Sequence, residues 1–395
     1  MRDESVAVLD IRSGEISLLI GSKGVNGTFV LRGFYSEKYE GYSVQNGILD
    51  VASFRRAVSI CVNSARQNYD GEIKTIYVGV PSGAIRVQTK GHANSYPRKR
   101  KISSQDVDAL YESGLNALMA SGRVIRRSDM YFTLGDNRKY FDKGDLYGVP
   151  TTMLKGALCY YFIEDTFYES VSAILRELQI EDVHFIPSTL AQSIYLIPQK
   201  KREDYAFLLD IGYRTSSFTV IYGNGIVHEE SFDCGVKTVL DRLVTEMQVD
   251  FSVAEEMLAT TKVTFGNVPD GVPWNIEQGK QYSAREINEH IKWGIYALTQ
   301  QIQDFFAKYY KDGMTTGLTV NPIGLTGEGV LAIQGISGVV SNVLDRLTEV
   351  VAPDLPYYDK PTYSSHISLL NMALLDRTKE SLFYKILNYF GGKRK

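Results

Sequence analysis

The sequence predicts an α/β protein of two lobes, with a small α+β subdomain inserted in its first half and an amphipathic helix at its end. Three observations carry this. A strand–turn–strand unit occurs twice, and an aspartate closes its first strand each time, at Asp10 and at Asp210. Between the two copies, from Ser82 to Tyr161, the chain changes character. The last apolar residues, Leu382 to Phe390, fall on one side of a helix. A chain of 395 residues is also too long for one hydrophobic core.

The first copy runs Val6–Asp10, a polar break with Gly14, then Ile16–Gly21, and Val30–Gly33 supplies a third strand. Val51, Phe54, Ala57, Val58, Cys61 and Ala65 recur at helical spacing over Asp50–Asn68, and Thr75–Val80 is a β-branched buried strand ending at Pro81. The next region holds the basic run Arg98–Lys101, read as a solvated loop, and a helix opening near Ser103 with Asp106 in its first turn. Strands follow around Met130–Leu134 and Thr151–Phe162, then an amphipathic helix over Thr166–Leu178 and a strand over Asp182–Ile186. Pro198–Arg202 reads as a polar hinge. The theme then returns: Tyr205–Asp210, a polar-glycine break, Phe218–Tyr222, a turn at Gly223–Gly225, and Ile226–Phe232. Helices are expected at Thr238–Gln248, Val253–Thr261 and Ala284–Tyr310, and Pro322–Leu325 is a strand running into Gly327-Glu328-Gly329. Two similar copies imply two related halves facing a cleft.

With 44% apolar and 23% charged residues the composition is that of a soluble globular protein. The net charge of −3 exerts no overall pull toward nucleic acid, and no nucleic-acid partner is expected. Cys61, Cys159 and Cys234 lie far apart and make neither a metal spacing nor a disulfide framework, so they read as reduced, partly buried thiols. Five scattered histidines form no ligand cluster. The acidic N-terminus goes straight into a strand, which speaks against a signal peptide. No apolar run approaches the ~20 residues a membrane-spanning helix needs.

Chemistry is expected at the two turns. An aspartate at a strand end beside a glycine-containing turn suits a phosphate, with backbone N–H groups as donors and carboxylates holding magnesium through water. Leu325-Thr326-Gly327-Glu328-Gly329 adds a glycine turn at a strand's C-terminal end, where a nucleotide can approach the backbone closely. Asp10-Ile11-Arg12-Ser13-Gly14, Asp210-Ile211-Gly212-Tyr213-Arg214-Thr215 and this third loop resemble the two phosphate loops and the adenosine loop of the actin superfamily, whose fold is ribonuclease H-like. Within that superfamily the sequence is most similar to the FtsA family of bacterial cell-division proteins. Ser82–Tyr161 has the position, size and strand–helix–strand–strand pattern of that family's insert. His228–Val244, Asp250–Thr264 and the segment from Pro361-Thr362-Tyr363 to Leu369-Leu370 carry the resemblance further.

The resemblance implies a first lobe of residues 1–81, 162–202 and 353–378, with an inserted subdomain at 82–161. It implies a second lobe of 203–237 and 283–352, an extra subdomain at 238–282, and a membrane-targeting tail at 379–395. It implies ATP and Mg2+ as cofactors, with Asp10, Arg12, Ser13, Gly14, Asp210, Gly212, Tyr213, Arg214, Thr215, Gly327, Glu328 and Gly329 around the nucleotide and Asp10 and Asp210 near the metal. Its partners would be an FtsZ-like filament protein, an anionic membrane surface, further copies of itself, and other division proteins through residues 82–161. The place implied is the inner face of the cytoplasmic membrane at the division site.

Departures from the family put the cofactors in question. Glycine is usual where Arg12 stands, and two glycines where Tyr213 and Arg214 stand. Two readings follow: the larger side chains fill the phosphate site, or the arginines pair with phosphate as forks. No Glu or Gln directly precedes Leu190-Ala191, where the superfamily often places a water-polarising residue, so the expected activity is at most a weak ATPase. At the tail, Leu382, Phe383, Ile386, Leu387, Tyr389 and Phe390 fall within an arc of roughly 160° at ~100° per residue. Lys385 lies off the arc, and Lys393, Arg394 and Lys395 follow Gly391-Gly392. A helix this short can lie in the headgroup region but not span it. Two other functions share the fold: a pilus or secretion-platform assembly protein that binds a membrane-protein peptide, and a small-molecule kinase. The insert is expected to be an independent module that does not support the core.

Overall fold

The computed structural model describes residues 5–25, 28–118, 122–136, 138–266, 268, 273–275, 281–310 and 321–391, without the side chains of 273–275 and 379–391. The chain opens with an antiparallel meander of β1 (Val6–Ile11), β2 (Glu15–Lys23) and β3 (Phe29–Lys38), whose first turn sets Asp10 opposite Ser17 and Ile11 opposite Ile16. Helix α1 (Val51–Asn68) starts where Asp50 accepts hydrogen bonds from Ala52 N and Ser53 N, a cap typically worth ~1 kcal/mol. Phe54, Ala57, Val58, Cys61, Val62 and Ala65 form its buried stripe against the alternate β1 residues Ala7, Leu9 and Ile11. Strand β4 (Thr75–Val80) then runs parallel to β1, with Gly79 beside Asp10.

The insert follows as β5 (Ile85–Lys101), α2 (Ser104–Leu118), β6 (Arg123–Thr133) and β7 (Pro150–Ile163), with sheet order β5-β7-β6. Arg98–Lys101 is therefore not a loop but the end of β5, where Arg100 and Lys101 pair with Thr151 and Pro150. Charged side chains are at home there because β5 is an edge strand and that end of it is exposed. Nor does the insert stand apart from the core. Cys159 and Tyr161 of β7 are fully buried in one cluster with Val6 and Val8 of β1, Ile226 from the second half, and Leu369 and Leu370 near the C-terminus. Asn224 of the second half also donates to Asp129 O (3.0 Å) and Phe141 O (2.8 Å) of the insert. The expectation of an independent module fails because the insert's central strand ends in apolar residues that need both lobes to cover them.

Helix α3 (Asp165–Glu177) and strand β8 (Asp182–Pro187) complete the first sheet in the order β8-β4-β1-β2-β3. Helix α4 (Ser188–Leu196) follows at once. The segment read as a polar hinge is a helical turn, Gln199–Arg202, whose Arg202 is buried and donates to Ile197 O and Asn224 Oδ1. The second half repeats the meander with β9 (Ala206–Ile211), β10 (Ser216–Tyr222) and β11 (Gly225–Phe232). Helices α5 (Val236–Met247), α6 (Phe251–Thr260) and α7 (Ala284–Tyr309) come next. Strand β12 (Ile323–Thr326), helix α8 (Ile336–Leu344) and strand β13 (Thr348–Val350) close a sheet of order β11-β10-β9-β12-β13, the same topology as the first. Phe207, Leu209 and Ile211 face α5 to α8, and Ala206 and Leu208 face the Leu196–Ile197 end of α4.

The last helix, α9 (Ser364–Gly391), packs its first turns on β1 and α4 through Ile367, Leu370 and Leu374. α4 and α9 thus lie between the two sheets and hold them at a set separation. Arg126 of the insert pairs with Asp376 on α9. α9 continues unbroken past Arg377–Glu380. The side chains of Leu382, Phe383, Lys385, Ile386, Leu387, Tyr389 and Phe390 lie outside the described residues, as do Lys393, Arg394 and Lys395. Among the described residues no helix is long and apolar enough to cross a membrane. All three cysteines are buried free thiols, and burial pushes that of Cys61 up to about 12.

Candidate functional site

Each lobe delivers a hairpin to the cleft. The second hairpin has the register of the first, with Asp210 opposite Ser217 and Ile211 opposite Ser216. Parallel pairing places Gly79 beside Asp10 and Thr326 beside Asp210, so both aspartates sit at the C-terminal ends of central strands. That is where ligands bind in open α/β sheets. The third loop closes over the second strand: a Cβ on Gly327 would strike Asp210, and one on Gly329 would strike Ile211.

The two turns meet directly. Arg12 donates from Nη2 to Asp210 Oδ1 at 3.1 Å and from Nη1 to Oδ2 at 3.4 Å, and its Nε lies 4.0 Å from Glu328 Oε1. Burial opposes the Arg12 charge, but Asp210, Glu328 and Asp10 outweigh it and hold the guanidinium more firmly protonated than usual. Ser13 Oγ accepts from Arg214 N (2.9 Å) and Thr215 N (3.2 Å). The Tyr213 ring lies on Gly14, close enough that a Cβ there would come within 2.8 Å of it. Glu328 accepts from Tyr213 N, and burial raises its carboxyl pKa against the pull of Arg12. The Arg214 side chain runs over Gly41.

Beneath these contacts is a cavity of about 50 Å³ lined by Asp10, Arg12, Asp210, Ser188, Thr189 and Gln192 among others. Asp10 is 2% exposed, and neither of its carboxylate oxygens has a hydrogen-bond partner. His366 of α9 stands 3.7 Å from it and hydrogen-bonds Ser17 Oγ through Nε2 at 2.7 Å. Burial pushes the His366 pKa down, against Asp10. Sequence reasoning missed His366 and Gln192. Gln192 is fully buried on α4, donates to Asp210 Oδ2 at 2.8 Å, and turns an unpartnered Oε1 toward the same space. The signal for it was local: it follows Leu190-Ala191 instead of preceding it. Glu229 on β11 was missed too. Both its oxygens are buried, and burial pushes its carboxyl up to about 7 against the nearby Ser82 and Thr189 hydroxyls.

A magnesium nucleotide does not fit this arrangement as it stands. The turn that would offer N–H groups to a phosphate has them engaged by Ser13 and Glu328, and Arg12 is already paired with Asp210. Among the described residues no cluster of three His, Cys, Asp or Glu is arranged to hold a metal ion.

Two lobes with sheets of identical order, an aspartate hairpin in each, and a glycine loop over the second define the class: the fold is actin-like. In sequence the chain is FtsA-like. It is 23% identical over 309 residues to the cell division protein FtsA of Streptococcus pneumoniae serotype 2, a match covering 74% of this chain and 66% of that relative, just under two thirds of its length. No protein-family model matches the chain. Among solved structures, the PilM–PilN type IV pilus biogenesis complex is similar at a TM-score of 0.59 and 12% identity, covering 93% of this chain and 98% of that one. MreB5 of Spiroplasma citri bound to ADP follows at 0.54 and 10%, covering 95% and 99%. A double helical filament of MamK is similar at 0.53 and 14%, covering 93% and 98%. These likenesses establish the fold.

Proposed function

We propose that this chain is a membrane adaptor of cell division. It tethers filaments of an FtsZ-like protein to the inner face of the cytoplasmic membrane, and it assembles into actin-like polymers of its own. The observation that carries the reading is α9: its first turns are locked into the core, and the same helix runs on through the apolar arc Leu382–Phe390 without a break. A lipid-binding segment is thereby joined stiffly to the body. Inserting six large apolar side chains yields at most ~1.5–3 kcal/mol each, reduced by the cost of ordering and by partial insertion. Lys393, Arg394 and Lys395 add ~1 kcal/mol apiece near anionic headgroups. One copy therefore binds reversibly, and a polymer holds through many helices at once. The filament formed by MamK and the name of the FtsA relative support the polymer and the division site.

The insert, residues 82–161, is proposed to meet a neighbouring copy or another division protein through the face it leaves exposed. The pilus-assembly reading leaves the terminal amphipathic arc without a role. The kinase reading needs an open phosphate site, which Arg12, Ser13 and Tyr213 fill. The test is co-sedimentation with phosphatidylglycerol-containing vesicles, alone and with FtsZ filaments. The chain should carry the filaments to the vesicles. Phe383→Glu with Phe390→Glu should abolish this with circular dichroism unchanged, and serine at the three terminal cations should weaken it only partly. Vesicle binding that survives the double change, with a lowered melting temperature, would make Leu382–Phe390 a core helix and overturn the adaptor reading.

A further inference from the structure

We propose that Arg12 is a built-in replacement for a metal–phosphate ligand, and that it makes closure of the two lobes independent of nucleotide. A ligand bridging such a cleft must neutralise the carboxylates, occupy the turn's N–H groups and touch both lobes. This chain does each with its own residues. Asp10 and Asp210 are largely buried at the floor of the cleft, with the half-exposed Glu328 at its rim, and buried carboxylates are stable only with a paired cation. The guanidinium supplies it, gripping Asp210 through two N–H groups with its Nε toward Glu328. A planar fork matches a carboxylate in a way a hydrated metal ion does not.

The donor inventory of the second turn is complete. Gly212 N donates to Thr215 O, Tyr213 N to Glu328, and Arg214 N and Thr215 N to Ser13 Oγ. No N–H of that turn is left for a phosphate oxygen. The two bonds to Ser13 and the pairs of Arg12 with Asp210 and Glu328 cross from the first lobe to the second, and the Tyr213 ring on Gly14 adds an apolar seal. The unpartnered oxygens of Asp10 and Gln192 face a space that suits a few waters. A divalent cation entering it would meet the Arg12 charge already in place. This inference concerns the cleft alone and stands apart from the membrane reading.

The test uses the full chain with one spin label on each lobe, thermal melting, and either EDTA or millimolar magnesium ATP. The unmodified protein should give one short interlobe distance in both, with a melting shift under about 1 °C, because a ligand that does not bind the folded state cannot stabilise it. Arg12→Lys keeps the charge but loses the fork, and should give a melting temperature and interlobe distance between those of the parent and Arg12→Ala, still without a response to magnesium ATP. Arg12→Ala should melt lower and show a longer, broader interlobe distance in EDTA, and magnesium or manganese alone should partly restore both. A several-degree rise of the unmodified protein with magnesium ATP would overturn the proposal. So would an Arg12→Ala variant as closed in EDTA as the parent. Should Arg12→Ala not fold, the unmodified protein and Arg12→Lys decide, since a magnesium ATP response in either contradicts a self-closed cleft.

Discussion

The hairpin at Asp10 and the hairpin at Asp210 share their strand pairing, their position in the sheet and the aspartate at the end of the central strand. Their turns do opposite things. The first reaches out with side chains, Arg12 and Ser13; the second receives them, with the Asp210 carboxylate and the N–H groups of Arg214 and Thr215. A repeated frame therefore does not imply a repeated function. The strands are alike because each must bury alternate residues on both faces of a central sheet. The turns carry no such constraint, and in this chain they have become complementary to each other instead of to a shared ligand.

That contrast can be broken most severely at Arg12. Arg12→Ala leaves Asp210 and its neighbours without their cation, and should cost about 3–5 kcal/mol of unfolding free energy in a denaturant titration. The next effect is a pH dependence at Glu229, which faces Ser82 and Thr189 of the first lobe. Its folded-state carboxyl lies up at about 7, above the ordinary 4.5, so between those values the folded protein binds the extra proton. Stability from this group is fully present below about 4.5 and is lost as pH rises through about 7. Glu229→Gln should abolish a loss of roughly 2–3 kcal/mol over that window, read as the difference between the two proteins' stability–pH curves.

Smaller changes sharpen the asymmetry of the turns. Gly212→Ala presses a Cβ to 2.6 Å from the Thr215 carbonyl oxygen, which is backbone and cannot move away; Gly14→Ala presses on the Tyr213 ring, which can. The first should cost about 2 kcal/mol and the second about 1 kcal/mol. Ser13→Ala removes the acceptor of two N–H groups that remain partly reachable by water, and should cost ~1 kcal/mol. Equal losses at Gly14 and Gly212 would mean that the turns are interchangeable after all.

Much of the frame was legible beforehand. Thr75–Val80 has the bounds read from its β-branched run, and α1, α3 and α7 fall within a residue or two of their apolar periodicity. The errors share a cause. Arg98–Lys101 reads as a loop because charge suggests solvent, yet an exposed edge strand is equally wet. Pro198–Arg202 reads as a hinge because it is polar, yet Arg202 is buried with carbonyl partners from two segments. The insert reads as separable because it sits between two pieces of one lobe, which says nothing of where Cys159 and Tyr161 are buried. At the candidate site the strand-end aspartates and glycine loops were visible, and so was the oddity of Arg12, Tyr213 and Arg214. Gln192 was marked only by its place just after Leu190-Ala191, and His366 and Glu229 were not marked at all, because nothing in their local pattern sets them apart.

The sequence by itself determined the two aspartate hairpins and the helices that cover them, because each rests on a burial period of a few residues. Only the tertiary structure decided what the cleft contains. Arg12 and Asp210 are 198 positions apart, and Gln192 reaches Asp210 from a helix wedged between the sheets. Whether those groups touch or stand a ligand's width apart depends on how closely α4 and α9 let the lobes approach. That spacing is fixed by side-chain volumes summed over the whole interface, a quantity no local pattern of residues encodes.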